Sequence, residues 1–417
     1  MRFALPSRSI KSAMVLSCGR LPNSSNRTTE HLSRSFPLGP LHGVTIIEMA
    51  GIGPGPFCAM LLADMGAEMI RIDRIGGSDL GVSSTKSTDF VGRNRRSIAL
   101  DLKRPEAIEI VLKLVERADA LIEGFRPKVM ERLGLGPDIC LARNPRLVYG
   151  RMTGFGQEGP LAQAAGHDIN YIALTGALAS IGEHGRKPVP PLNLIGDYGG
   201  GSLYLAIGIL AGVINARTRG RGDVVDAAMV DGAASLMTIF YSLKAGGRWH
   251  CERGDNMLDG GAPWYDTYET RDGLYLAIGA IEAKFFRELA QRIGLSAEDM
   301  KRQHDREYWP ALRAKMTAIF KTRARAEWCA LLEGTDSCVT PVLTMDEAPD
   351  HLHMAARNAF DRSGGAPRPN AAPRFREAGS AELDGTHEPS SDADAILRKC
   401  GLQTEQIGAL REARIVG

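Results

Sequence analysis

Val44-Thr-Ile-Ile-Glu-Met-Ala50, running into Gly51-Ile-Gly-Pro-Gly-Pro56, is the stretch on which the fold turns. Its β-branched run reads as a buried strand, and the Gly/Pro cluster after it as a tight turn. Phe57 to Gly66 reads as a helix, and Ala67-Glu-Met-Ile-Arg-Ile-Asp73 as a second strand. Strand, helix and strand in that order make a βαβ unit, which implies parallel pairing. The alternation continues with a helix over 105–118, a strand over 120–123, a helix over 128–133 and a strand over 147–152. An α/β fold built on an open parallel sheet is therefore expected. Farther along, Asp272-Gly273 is a hairpin signal between 265–270 and 274–278, so a partly antiparallel unit is expected to begin near Trp264. Residues 363–391 are rich in Pro, Gly, Ala and Ser and read as a linker or extended return, and 392–416 reads as helical.

Composition limits what such a chain can do. At 417 residues it is too long for one average domain. Lys plus Arg number 51 against 49 Asp plus Glu, a net charge of +2. That balance argues against a general nucleic-acid binder, which needs a basic excess to displace phosphate counterions. The seven Cys (18, 58, 140, 251, 329, 338, 400) are scattered with no CxxC pair, against a disulfide framework or a zinc site. His351-x-His353 lacks a third ligand nearby, so no metal is expected. The apolar run Leu203 to Ile214 is too short to span a bilayer, so no membrane span is expected.

Charge is uneven at the start. Residues 1–37 carry Arg2, Arg8, Lys11, Arg20, Arg27 and Arg34 against Glu30, with a high density of Ser. Arg-rich, Ser-rich and acid-poor is the composition of an organellar transit peptide, with a disordered tail or a misassigned start as the alternatives. A mitochondrial address is expected, with peroxisomal or cytoplasmic location as alternatives. The closing Ile415-Val-Gly417 is not a Ser-Lys-Leu signal.

A Gly-rich turn after a strand, with Asp73 ending the next strand, has the outline of a dinucleotide site. Gly51 and Gly53 fit, but Pro56 stands at the third position. Its ring removes an N–H that a pyrophosphate needs, which counts against an NAD-dependent oxidoreductase. Three other stretches place polar groups in Gly-rich or apolar surroundings. In Gly166-His167-Asp168-Ile169-Asn170-Tyr171 the His opens a helix, where the dipole favours an uncharged, base-competent imidazole. In Gly196-Asp197-Tyr198-Gly199-Gly200-Gly201-Ser202 the Asp is a helix cap or a reactive carboxylate, and free amides at 199–202 are candidate oxyanion donors. Glu282 ends the apolar strand Ala277-Ile-Gly-Ala-Ile281. A His, an Asp and a Glu supply acid/base groups without metal-ligand spacing.

Those stretches, with Pro190-Pro-Leu-Asn-Leu194, Val225-Asp-Ala-Ala-Met-Val-Asp231 and Asn256-Met-Leu-Asp-Gly-Gly-Ala-Pro263, resemble the α-methylacyl-CoA racemases of the family III CoA-transferase (CaiB/BaiF-type) superfamily. The resemblance covers about Leu41 to Leu343, weakens over 349–387 and leaves 1–37 out. It implies interconversion of (R)- and (S)-2-methylacyl-CoA thioesters by two-base proton transfer through an enolate, in branched-chain fatty-acid or bile-acid-type lipid metabolism. His167 and Asp197 match the family's acid/base pair and Glu282 its supporting carboxylate. Arg74, Leu100, Asp101, Leu102, Lys103 and Gly166, His167, Asp168, Ile169, Asn170, Tyr171 match positions that contact CoA, and Arg93-Asn-Arg-Arg96 is a candidate addition. No cofactor is implied beyond the substrate's own CoA. The implied fold is an interlocked homodimer. Residues 41–229 form a large Rossmann-like CoA-binding domain, 230–265 a linker, 266–352 a small α+β domain, 353–391 a return linker, and 392–417 a helix packing on the large domain. Glu282 then serves the partner's His167 and Asp197. The rival reading is a CoA-transferase of the same superfamily, with Asp197 as nucleophile.

Overall fold

The computed structural model describes residues 39–76, 88–379, 383, 385 and 390–417. The expected leader at 1–37 lies outside them. Six parallel strands form the main sheet: β1 Thr45–Met49, β2 Glu68–Arg74, β3 Arg95–Leu100, β4 Ala120–Glu123, β5 Val148–Thr153 and β6 Asp223–Ala228. Their order is β3-β2-β1-β4-β5-β6, so the chain winds outward from β1 in both directions. Ile47 of β1 stands between Ile70 of β2 and Leu121 of β4, all buried, which is why these strands read as continuous apolar runs.

Helices cover both faces. α1 is Pro54–Asp64, α2 Pro105–Val115, α3 Val129–Arg132 and α4 Pro137–Arg143. α5 is Asp168–Leu174 and α6 Ala177–Ser180; a π-helix over Leu194–Ser202 then runs into α7, Leu203–Arg219. α8, Met229–Leu236, and α9, Thr238–Ala245, follow β6. α1 starts three residues before its expected position, because Gly53 at φ 67 turns the chain and Pro54 opens the helix. β3 and β6 were not anticipated. β3 opens with two Arg, and β6 is an edge strand with mostly exposed residues, so neither carries an apolar run.

The combined helix Leu194–Arg219 has 26 residues, and its most apolar 18-residue window has a mean hydropathy of 1.5, enough by length and composition to cross a membrane, with 44% of that window buried. It contains the expected run 203–214 but is longer, because the π-helix adds a full segment before it. Its packing is that of a core helix: Leu205 and Ile209 press on Gly150 of β5, and Gly208 and Gly212 admit Val225 and Val148.

The hairpin at Asp272-Gly273 joins β7 (Tyr265–Glu269) to β8 (Tyr275–Gly279), and β9 (Val339–Pro341) completes an antiparallel sheet. α10 (Ala283–Ile293), α11 (Ala297–Lys301), α12 (Trp309–Phe320) and α13 (Arg325–Leu332) accompany that sheet. Its core of Trp264, Tyr268, Phe286, Phe320 and Trp328 is separate from those of the main sheet. After α14 (Leu352–Ala356), the short pair β10 (Phe360–Asp361) and β11 (Arg368–Pro369) occupies the expected return segment. The last stretch forms two helices, α15 (Ala393–Lys399) and α16 (Thr404–Glu412), broken at Gly401 with φ 83. Ile396, Leu397 and Ile407 join the main-sheet core, and Val416 bridges to Leu100.

Candidate active site

In a sheet of this order the loops leaving β1 and β4 part in opposite directions, opening a crevice at the C-terminal ends of the strands. A cavity of about 450 Å³ lies there. Ile52 to Pro54 after β1, Gly124 to Pro127 after β4, and Met152 to Phe155 at the end of β5 and just beyond it line it, with Met229 of α8. Gly166, His167, Tyr171 and Asp197 complete the wall, so the two residues expected as an acid/base pair face one space from two separate elements.

Each residue of Gly166 to Tyr171 has a local task. His167 caps α5, and its backbone N–H donates to Oδ1 of Asn170 at 3.1 Å. Tyr171 donates its hydroxyl to the carbonyl of Gly166 and meets Phe155 edge-on, ring centroids 4.9 Å apart. A Cβ at Gly166 would stand 2.9 Å from the Tyr171 ring, so only glycine fits there. Asp168 accepts the amides of Gly196 and Asp197. Ile169 is exposed. The side chains of Asp168 and Asn170 are thus committed within the chain, and only Gly166, His167 and Tyr171 of this stretch line the cavity.

Asp197 sits in the π-helix, a rare form that recurs at functional sites. Oδ2 accepts from Nδ2 of Asn193 at 3.1 Å, and the Gly53 turn runs directly against the same oxygen. Burial chiefly raises the Asp197 pKa above its ordinary value; the Asn193 bond and His167 oppose this, and the charge of Asp168 adds to it. Asn193, at the N-cap of the π-helix, is a site residue not anticipated from the sequence. Arg126, likewise unanticipated, is a cationic side chain in the cavity wall.

Two expectations need correction. The amides of Gly199 to Ser202 are not free: i→i+5 bonding takes up those in the second half of the π-helix, and Leu203 N–H donates to Tyr198. The glycines serve close packing instead, since a Cβ at Gly200 would lie 2.6 Å from the Ala233 nitrogen and one at Gly232 closer still to Gly200. The run Arg93 to Arg96 is not a phosphate surface either. Arg93 pairs with Asp64 and Arg95 with Glu48, all four buried, and Arg96 pairs with Glu68.

Arg74 ends β2, Leu100 ends β3 and Asp101 to Lys103 follow it, on the same C-terminal edge as the cavity but outside its wall. Leu100 is buried and Leu102 partly buried against the core, whereas Arg74 and Lys103 are exposed. Asp101 accepts the Lys103 amide at 3.1 Å. Glu282 caps α10, exposed, and does not line the cavity with His167. A larger, more apolar cavity of about 740 Å³ lies between α6, α8, α9 and the small sheet. Its carboxylates are spent: Asp259 accepts from Gly254, Asn256 and Gly261, and Asp266 pairs with Arg313. The smaller cavity is therefore the one equipped for proton transfer.

A six-stranded parallel sheet that brings a carboxylate and an imidazole together at its switch point has the form of an acid/base enzyme. The chain belongs to CoA-transferase family III, whose profile matches residues 41–389. The match continues through the segment where the sequence resemblance weakens. Within that family it is 43% identical over 379 residues to the α-methylacyl-CoA racemase of Mus musculus, covering 90% of this chain and 97% of the relative. The Homo sapiens α-methylacyl-CoA racemase is 41% identical over 386 residues, with the same coverage. The crystal structure of a CaiB/BaiF family protein from Brucella suis superposes with a TM-score of 0.75 at 26% identity, covering 87% of this chain and 99% of that one.

Proposed function

We propose that this chain is an isomerase that interconverts (R)- and (S)-2-methylacyl-CoA thioesters. The observation that carries the reading is the presence of His167 and Asp197 in one cavity, approaching from different elements. Inversion at the carbon beside a thioester needs one group to take the α-proton and another to return a proton to the opposite face. In one direction His167 takes the proton, the C–H pair passes into the carbonyl as an enolate, and protonated Asp197 delivers a proton to the same carbon. In the other direction the roles exchange. The raised Asp197 pKa suits this, because a carboxyl of ordinary acidity holds a proton poorly at neutral pH.

CoA would run along the C-terminal edge of the sheet toward Arg74 and Lys103, whose cations suit phosphate. The substrate's CoA is the only carrier required. Two copies of the chain would interlock, each large domain (41–229 with 392–417) receiving Glu282 from the partner's small domain (266–352). Support comes from the exposed position of Glu282, away from its own chain's cavity. Exposed Leu203, Ile207 and Ile214, spaced along one face of α7, and Ile239 and Tyr241 of α9 add to it. The composition of residues 1–37 supports mitochondrial import, and a 2-methyl-branched substrate would give the enzyme a role in branched-chain lipid metabolism.

The test is incubation of a single 2-methylacyl-CoA epimer in deuterated water. Epimerisation with α-deuterium uptake is expected. Absence of both rejects the reading, and CoA appearing on an added free acid would make the chain a transferase with Asp197 as nucleophile.

A further inference from the structure

Asp168 follows His167 directly, yet its carboxylate is buried and does not line the cavity. Oδ2 accepts two amides from a distant segment, Gly196 at 2.6 Å and Asp197 at 2.7 Å. The contact is closed sterically, since a Cβ at Gly196 would stand 2.7 Å from that same oxygen. Oδ1 is buried with no hydrogen-bond partner, so part of the charge beside Asp197 is uncompensated. One carboxylate thus joins the first turn of α5, which presents His167, to the π-helix, which presents Asp197.

We infer that Asp168 is the positioning residue of the acid/base pair: through the Gly196 and Asp197 amides it fixes where the Asp197 carboxylate stands relative to His167. This rests on the acid/base reading of those two residues. A π-helix is an intrinsically poor conformer, and one that contains Gly196 and Gly199 to Gly201 has little local reason to hold a single geometry. Two short charge-assisted bonds supply that reason from outside the segment. Asp168 has a second, electrostatic effect. The charged or titratable groups facing Asp197 are Asp168, His167 and Tyr171 from α5 and, in the cavity wall, Arg126; α1 and α8 present Pro54 and Met229. Of these, Asp168 is the near negative charge, and it works with burial to favour protonated Asp197.

Two variants separate the effects. Asp168→Asn keeps an oxygen for the two amides and removes the charge, whereas Asp168→Ala removes both. Hydrogen exchange of the segment 194–202, followed by mass spectrometry, is expected to be fast in Asp168→Ala and close to wild type in Asp168→Asn. In α-deuterium exchange, Asp168→Ala should lose about a hundredfold in kcat with KM little changed, the penalty of a misplaced catalytic group. Asp168→Asn should keep most of its plateau rate. The limb of its pH profile that Asp197 sets, acidic where Asp197 is the base and alkaline where it is the acid, should move to lower pH, because Asp197 then ionises more easily. The same displacement should appear in a carbon-13 titration of the Asp197 carboxyl, which needs no turnover. If the wild-type chain exchanges no α-deuterium, the racemase reading fails, and amide exchange and the Asp197 titration still decide the Asp168 contact. Wild-type amide protection in Asp168→Ala, or an unmoved Asp197 titration in Asp168→Asn, overturns the inference.

Discussion

His167 reaches the cavity because Gly166 to Tyr171 folds back on itself, with Tyr171 holding the Gly166 carbonyl and Asn170 holding the His167 amide. The side chain proposed to react is therefore supported by neighbours that are not. This separates two kinds of variant. His167→Ala should abolish α-deuterium exchange while acyl-CoA affinity, measured by calorimetry, stays near wild type. Gly154→Ala should damage the site indirectly: its Cβ would stand 2.2 Å from the Tyr171 ring, so Tyr171 must move. A loss of about 1–3 kcal/mol in stability is expected from such overpacking, with reduced turnover, both read by denaturant titration and α-exchange. The motifs single out His167 and Asp197 as candidates, and the fold brings both to one cavity. The inward role of Asp168 was not legible in the sequence, because its partners Gly196 and Asp197 lie 28 and 29 residues away.

Charge is managed between elements rather than along them. Arg95 of β3 bridges to Glu48 of β1 and donates also to the carbonyls of Val91 and Pro56, the latter in the first turn of α1. Removing one partner of such a pair strands the other in the core. Arg95→Met alone should cost about 3–5 kcal/mol, and Arg95→Met with Glu48→Gln distinctly less than the sum of the single changes, by a double-mutant cycle of denaturant midpoints. A second buried group is Glu123, at the end of β4. It accepts the Phe125 amide and shares Arg151 with Glu131. Burial dominates, and its pKa is pushed up to about 7. The folded chain then binds a proton that the unfolded chain releases between the ordinary carboxylate range and neutrality. Stability is expected to fall as pH rises through that window, by on the order of 1–3 kcal/mol. Glu123→Gln should flatten this dependence in melts from pH 5 to 8; an unchanged slope would assign it to other groups.

At the scale of the molecule, the proposed interlocked dimer gives a specific expectation. Glu282 stands outside its own chain's cavity, so His167→Ala and Glu282→Ala should each be inactive alone. Co-refolded in equal amounts, they form mixed dimers with one intact site, and activity should return to about a quarter of wild type. No recovery would mean that each chain is served by its own Glu282, and an active Glu282→Ala alone would mean that the site does not need it. Without residues 1–37 the remaining chain loses six bases and one acid and becomes mildly acidic. Cations for the CoA phosphates would then have to be local ones, the part proposed for Arg74 and Lys103.

The sequence by itself determined the strand–helix alternation, hence the parallel sheet, the hairpin at Asp272-Gly273 and the motifs that hold His167 and Asp197. Those features are local: periodicity, turn chemistry and short runs are read within a dozen residues. Tertiary structure alone decided which charges are free. Arg93 and Arg95 look like a surface patch until Asp64 and Glu48, 29 and 47 residues earlier, are brought against them. It also decided that the glycines after Asp197 serve packing against α8, and that Asp168 turns inward to hold the segment bearing Asp197. The reason is the same in each case: a buried polar group needs a partner, and the partner is assigned by the fold rather than by the neighbouring sequence.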